Sequence, residues 1–309
     1  MFLPQLKAPP WFGGQLGVPG SASPLGFRTA GGNVYYLGTT IGNVVASDVN
    51  DGVEPLAPKA SLASALAECV SGQGDVIIVL PGRYTFTATA AVAIANVKII
   101  GWDWLSGRSA QGTIFDANGL VDIMAIDGDH TEIAGITFEN HDAAGFDCIN
   151  TCVTQGILGL HVHDCLFRVG QYGITLGTAA GLTPGDVLIE NNVFWIENAT
   201  AANAGIHMEE ATRALITNNI FGSTAATGVY GISCANDTFD RVIIDNNLFH
   251  FLAGDTGIFR AGVGVDVAMS RNLFLGGGTS ITVLADGGTH AVENYAASAA
   301  GGALVDPTT

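Results

Sequence analysis

The stretch Val187-Leu188-Ile189-Glu190-Asn191-Asn192-Val193-Phe194 comes back along the chain. It returns as Ala214-Leu215-Ile216-Thr217-Asn218-Asn219-Ile220-Phe221, then as Val242-Ile243-Ile244-Asp245-Asn246-Asn247-Leu248-Phe249, with a worn copy at Val267-Ala268-Met269-Ser270-Arg271-Asn272-Leu273-Phe274. The closing phenylalanines, Phe194, Phe221, Phe249 and Phe274, are nearly evenly spaced, and Phe138 and Phe167 continue the same beat upstream. A period of this size marks a solenoid, whose units bury their apolar sides only by stacking on one another.

Each unit holds a short apolar strand, an Asn-containing turn and a second short strand ending in Phe. A second motif keeps the same beat: Tyr172-Gly173-Ile174, Ala204-Gly205-Ile206, Tyr230-Gly231-Ile232 and Thr256-Gly257-Ile258. A unit therefore offers about three short strands and lacks the long apolar stripe of a helical repeat. Strands that wind and stack coil on coil give a parallel β-helix, advancing about 4.8 Å per coil. Equivalent residues then share a column. Phe138, Phe167, Phe194, Phe221, Phe249 and Phe274 are expected in one internal file. Asn192, Asn219, Asn247 and Asn272 are expected in a ladder, because Asn tolerates left-handed backbone and its amide can bond the amide above.

The rest of the chain fits one elongated domain. Of 309 residues 48% are apolar, 42 are Gly and 13% are charged, which suits a turn-rich all-β solenoid. Ser61-Leu62-Ala63-Ser64-Ala65-Leu66-Ala67-Glu68-Cys69-Val70 is the one clear helix, with Leu62, Ala65, Leu66, Cys69 and Val70 on one face and Ser61 as its cap. It is the candidate lid over the first coil, whose strand edge would otherwise be open. From Val76 onward the pattern predicts eight or nine coils, about 40 Å of helix at the strand spacing.

Residues 1–32 form a compositionally distinct, Pro/Gly-rich arm. Its large apolar residues Phe2, Leu3, Leu6, Trp11 and Phe12 suit docking into a partner or a neighbouring subunit, and equally suit folding back on the solenoid. Residues 33–75 hold a lead-in strand and the capping helix, 76–295 the β-helix, and 296–309 a tail. The run Ser47-Asp48-Val49-Asn50-Asp51-Gly52 offers Ca²⁺-type oxygens, but it lacks an EF-hand's terminal Glu and reads better as an Asx turn.

A net charge of −17, with Lys7, Lys59 and Lys98 as the only lysines, repels phosphate backbones and argues against nucleic-acid binding. The five cysteines, an odd number irregularly spaced, read as buried thiols assembled in a reducing cytoplasm. No stretch reads as a secretory leader or a membrane span, so no membrane insertion is expected.

Asp51-Gly52, Pro58-Lys59-Ala60-Ser61, the following helix and Gly74-Asp75-Val76-Ile77-Ile78-Val79-Leu80-Pro81-Gly82-Arg83-Tyr84 resemble the opening of pectate-lyase-like, right-handed parallel β-helix proteins. The repeated Asn-Asn-aliphatic-Phe resembles their later coils, and the likeness runs over about residues 33–295. That superfamily includes lyases, glycoside hydrolases, adhesins, and the spikes and decoration proteins of tailed bacteriophages. The arm and the acidic Gly/Ala-rich body are most similar to the phage group. This resemblance implies a structural virion protein assembled in the host cytoplasm, a homotrimer, other virion proteins as partners, and a host-surface glycan as a further contact.

The resemblance does not carry catalytic residues over. The Arg-x-Pro-x-x-Arg pattern of the lyases and the Asp-Asp, Gly-His-Gly and Arg-x-Lys patterns of the polygalacturonase-like members are not found. Read from the residues alone, an enzyme would use Asp127, Asp129, Glu139 and Asp142, with His130 and His141 beside them. Adjacent coils could set such carboxylates at the roughly 5–9 Å of glycosidases. His207, Glu209 and Glu210 form a second group. His161 and His163 face one side of a strand, and two histidines alone do not make a metal site. A polysaccharide lyase or glycoside hydrolase is therefore the alternative to the structural role.

Overall fold

A computed structural model describes residues 32–102, 112–140, 145–177, 181–197, 203–224, 228–261, 265–276, 279–283 and 289–298. Phe2, Leu3, Leu6, Trp11, Phe12, His141, Asp142 and most of the tail lie outside the described residues. The chain winds as a right-handed parallel β-helix with three faces. A first sheet runs from Ala90–Val92 to Thr279–Val283, and a second from Val34–Leu37 to Thr289–Val292. A third, of nine strands, runs from Gly82–Thr85 to Tyr295–Ser298. The long strand Tyr230–Asp245 passes through the first and second faces and joins them into one 17-stranded sheet. Val34–Leu37 pairs in parallel with Val76–Val79, so the lead-in strand is already a rung of the stack.

The expected aromatic file is present. Phe138, Phe167, Phe194, Phe221, Phe249 and Phe274 are register partners on successive coils. Their rings stack 4.7–4.9 Å apart, tilted by only 6–9°. That distance equals the strand spacing, so the backbone itself holds the rings in offset-stacking range. The file reaches one coil further than the repeat suggests, to Phe115, which meets Phe138 edge-on at 5.8 Å. The file also explains the Gly beat of the first sheet. A Cβ on Gly173, Gly205 or Gly231 would lie 2.6–2.9 Å from the ring of Phe194, Phe221 or Phe249.

The Asn ladder is present and continues to Asn294. The Asn192 backbone N–H and side-chain Nδ2 both donate to Asn219 Oδ1, at 2.9 and 3.1 Å, and Nδ2 also donates to the Val162 carbonyl at 3.0 Å. The pattern repeats from Asn219 to Asn247, from Asn247 to Asn272, and from Asn272 to Asn294. Of the two reasons expected for Asn, the amide bonding to the next amide holds and the left-handed backbone does not. The left-handed residue of each turn is the one before the ladder: Asp164, Asn191, Asn218, Asn246, Arg271 and Glu293 have φ of 52–57°. The ladder Asn is retained for its buried amide, which answers backbone groups that the corner would orphan.

The helix spans Leu62–Glu68, and Ser61 Oγ accepts the Ser64 N–H at 3.2 Å. Leu62, Ala65 and Leu66 join the main core, so the helix covers the first coil as expected. It is shorter than the sequence suggests. Val70 is exposed because Asp75 takes its N–H, at 2.6 Å, along with that of Asn33. In the 47–52 turn Asp48 accepts from the N–H groups of Ala60 and Ser61, and Asp51 from that of Val53, an Asx turn rather than an array of outward oxygens. Cys148, Cys152, Cys165 and Cys234 are buried thiols, and burial pushes Cys165 and Cys234 up to about 12.

Candidate functional site

Of the carboxylates picked out in the sequence, Asp127, Asp129 and Glu139 are among the described residues, and each has partners of its own. Asp127 is buried in the turn between the first and second sheets, where it accepts from Thr154 N–H at 3.0 Å and Thr154 Oγ at 2.8 Å. Asp129, in the same turn, accepts the Leu158 N–H at 2.8 Å. Both tie one coil to the next. Glu139 is on the third sheet, paired with Arg83 at 2.8 Å and Arg168 at 3.1 Å. Burial pushes its carboxyl up, but the two guanidinium groups outweigh this and hold it below the ordinary range. The hydrogen-bond partners of the three thus differ, and each serves the stacking of coils.

A different set of groups meets on the outer side of the first sheet. Its strands run Ile149–Thr151, Tyr172–Leu176, Ala204–Thr212 and on into Tyr230–Asp245. Isoleucines 149, 174, 206 and 232 point into the core, so the next residues, Asn150, Thr175, His207 and Ser233, point out in one row. Tyr172 lies flat on His207, ring centroids 4.1 Å apart and tilted 7°, and Tyr230 lies on Phe259 at 4.5 Å. His207 Nε2 meets Glu209 Oε1 at 2.8 Å, while Glu210 is taken by Thr183 Oγ.

At the edge of this row Asp147 is only 6% exposed and accepts the Thr175 hydroxyl at 2.7 Å. Burial raises its carboxyl to about 7, against the Thr175 hydrogen bond and with help from nearby Asp122. Two buried polar atoms of the row, Asn150 Oδ1 and His207 Nδ1, have no hydrogen-bond partner. Unanswered buried polar atoms cost about 1–3 kcal/mol each, so two on one outer row mark it as a place where another molecule can supply the partners. The sequence flagged His207 and the Tyr-Gly-Ile beat, but not Asp147. Asp147 stands one coil before Tyr172 and two before His207, and no local motif links them.

No protein-family model and no curated protein sequence matches the chain. Solved structures do. A pectin methylesterase mutant in complex with a hexasaccharide is similar over 87% of this chain and 92% of its own, at 12% identity and a TM-score of 0.50. Pectate lyase Pel9A matches over 79% of this chain and 63% of its own, at 14% identity and a TM-score of 0.44. ORF18 of Geobacillus virus E2 matches over 76% of this chain, which spans 57% of that protein's length, at 15% identity and a TM-score of 0.35. This chain has the pectate-lyase-like β-helix fold.

On this pectate-lyase-like β-helix the cations are spent on the coils themselves. Arg83 pairs with Asp116 and Glu139, and Arg168 with Glu139 and Glu197. Arg213 pairs with Asp186, Arg241 with Asp240, Arg271 with Asp245, Lys98 with Glu132 and Lys59 with Glu68. Arg260 is fully buried. Among the described residues every Lys and Arg is therefore either ion-paired or inside.

Proposed function

We propose that the chain is a structural component of a tailed-bacteriophage particle, a capsid decoration, spike or fibre protein anchored through residues 1–32 and assembled as a homotrimer. The observation that carries this reading is the use of the cations. Abstracting a proton from a uronic acid, or holding its carboxylate, needs a basic group turned to the substrate. Here Arg83, Arg168, Arg213, Arg271 and Lys98 clamp one coil to another, Lys59 and Arg241 are ion-paired locally, Arg260 is buried, and the net charge of −17 repels polyanionic glycans. Such a body is suited to being a durable shaft. The arm, rich in Pro and aromatics, supplies the attachment. Mass spectrometry of purified particles tests the reading: the chain is expected in stoichiometric amount, and its absence from the particle defeats the proposal. Size-exclusion chromatography with light scattering tests the trimer.

The first-sheet row favours a second reading, a glycan-cleaving enzyme acting on neutral sugars. An acid that stays protonated near neutral pH is what a departing glycosidic oxygen requires, and Asp147 is such a group beside stacked aromatic rings. On this reading Asp147→Asn abolishes any cleavage found on a glycan panel, while Asp127→Asn leaves it in place. Binding without products would assign the row to host-surface attachment instead.

A further inference from the structure

We propose that Glu132, His161 and His163 form a binding site for one divalent transition-metal ion of the zinc class on the outer side of the second sheet. The strand His161–His163 buries Val162 in the core, so both imidazoles face outward. Their rings stack 4.2 Å apart. In the register of the sheet Glu132 lies beside His161 on the preceding coil, and Glu190 beside His163 on the following one. The contacts run diagonally instead. His163 Nε2 meets Glu132 Oε1 at 3.3 Å, and His161 Nε2 meets Glu190 Oε1 at 3.1 Å. One donor atom from each of Glu132, His161 and His163 lies within 4.8 Å of the others.

Three features make this more than two histidines. First, donors about 2.05 Å from a tetrahedral zinc stand about 3.3 Å apart. The Glu132–His163 pair is already at that separation, 3.3 Å. Second, Asp164 Oδ2 holds His163 Nδ1 at 2.7 Å. This turns Nε2 toward Glu132 Oε1, where an ion would sit between them, and reproduces the carboxylate–histidine arrangement that orients metal-binding imidazoles. Third, the carboxylates of Glu132, Asp164 and Glu190 gather around the site against one ammonium, Lys98, which pairs with Glu132. Two imidazoles and a carboxylate select zinc, cobalt, nickel or copper over Ca²⁺ or Mg²⁺, which prefer all-oxygen sets. His163 is 10% and His161 31% exposed at the side chain, so an ion can enter from solvent and a fourth ligand position stays open to water.

The test uses full-length protein stripped with EDTA. Titration calorimetry with ZnCl₂ is expected to show one ion bound per chain, and CoCl₂ to give the visible bands of tetrahedral cobalt. MgCl₂ and CaCl₂ are expected to give neither. His163→Gln and Glu132→Gln should each weaken zinc binding at least tenfold, and Asp164→Asn about tenfold through loss of ring orientation. His250→Gln, on the third sheet, should change nothing. Should a variant fail to fold, ¹⁵N-detected imidazole signals in the wild type decide: those of His161 and His163 should move with zinc. Absence of saturable uptake, uptake that persists in the His161→Gln/His163→Gln double variant, or imidazole signals that stay still would each overturn the site.

Discussion

Two corners are built by the same coils and differ in nearly every respect. After an early link that spans 102–112, the corner from the second to the third sheet takes a pair of residues in coil after coil: 164–165, 191–192, 218–219, 246–247 and 271–272. The return from the third sheet to the first does not keep one length. It spans 170–171 after Val169, 197–203 after Ile196, 224–229 after Ser223 and 252–255 after Phe251. Where the length is constant, each polar group finds its own copy above and below, and one residue type satisfies the whole column. Where the length varies, each group needs its own solution. Asp255, fully buried, accepts the N–H groups of Val229 and Leu252, whereas Asp147 answers Thr175. The stacked-ring row and Asp147 gather beside the irregular corner, the Glu132, His161 and His163 cluster borders the regular one, and the regular one also supplies rigidity.

Inserting one glycine between Asn218 and Asn219 should have the largest effect. It shifts the next strand by one position, turns Phe221 outward and breaks the ladder, and the chain should lose its cooperative thermal transition. One glycine added among residues 224–229 should leave that transition in place. If both insertions behave alike, the distinction between the corners fails. Phe221→Ala should come next, costing about 3–5 kcal/mol in urea denaturation because the rings on either side cannot close the gap. Asn219→Ala leaves the Asn192 backbone N–H without its acceptor, while Asn192 Nδ2 keeps the Val162 carbonyl, and should cost about 1–3 kcal/mol in the same assay.

A further effect concerns pH at the irregular corner. Asp147 has its folded value raised to about 7 from an ordinary 3.8, so the fold favours its protonated form. Its stabilising contribution is complete below about pH 4 and is lost as pH rises through about 7. Relative to Asp147→Asn, the wild type should therefore lose melting temperature across that window. Parallel curves for the two proteins would mean that the carboxyl is solvated rather than held.

The regular corner is legible in the sequence because its period is fixed. Phe194, Phe221 and Phe249 announce one column, and Asn192, Asn219 and Asn247 another. Phe115 and Asn294 fall outside the expected columns because the octapeptide around each has worn away. The irregular corner is not legible, since a period predicts which residues stack and says nothing about partners across loops of unequal length. Asp127, Asp129 and Glu139, away from that corner, look like a reactive group because a period is equally silent on partners in other coils; Thr154, Leu158 and the arginines that occupy them sit one or two coils away. Glu132 escapes notice beside His161 for a related cause. It precedes the histidine by one full coil, and nothing between Glu132 and His161 repeats the octapeptide closely enough to set their register.

The ring spacing in the aromatic file has a consequence for how such a molecule changes length. Phe194 and Phe221 share one column, so the segment from one to the next is the unit by which the stack can grow. A duplication of that segment adds one storey of about 4.8 Å, and it also sets Trp195 against its own copy where Gly222 now leaves room for the ring. Lengthening in whole storeys is then the easiest change open to the gene, and partial ones are closed to it.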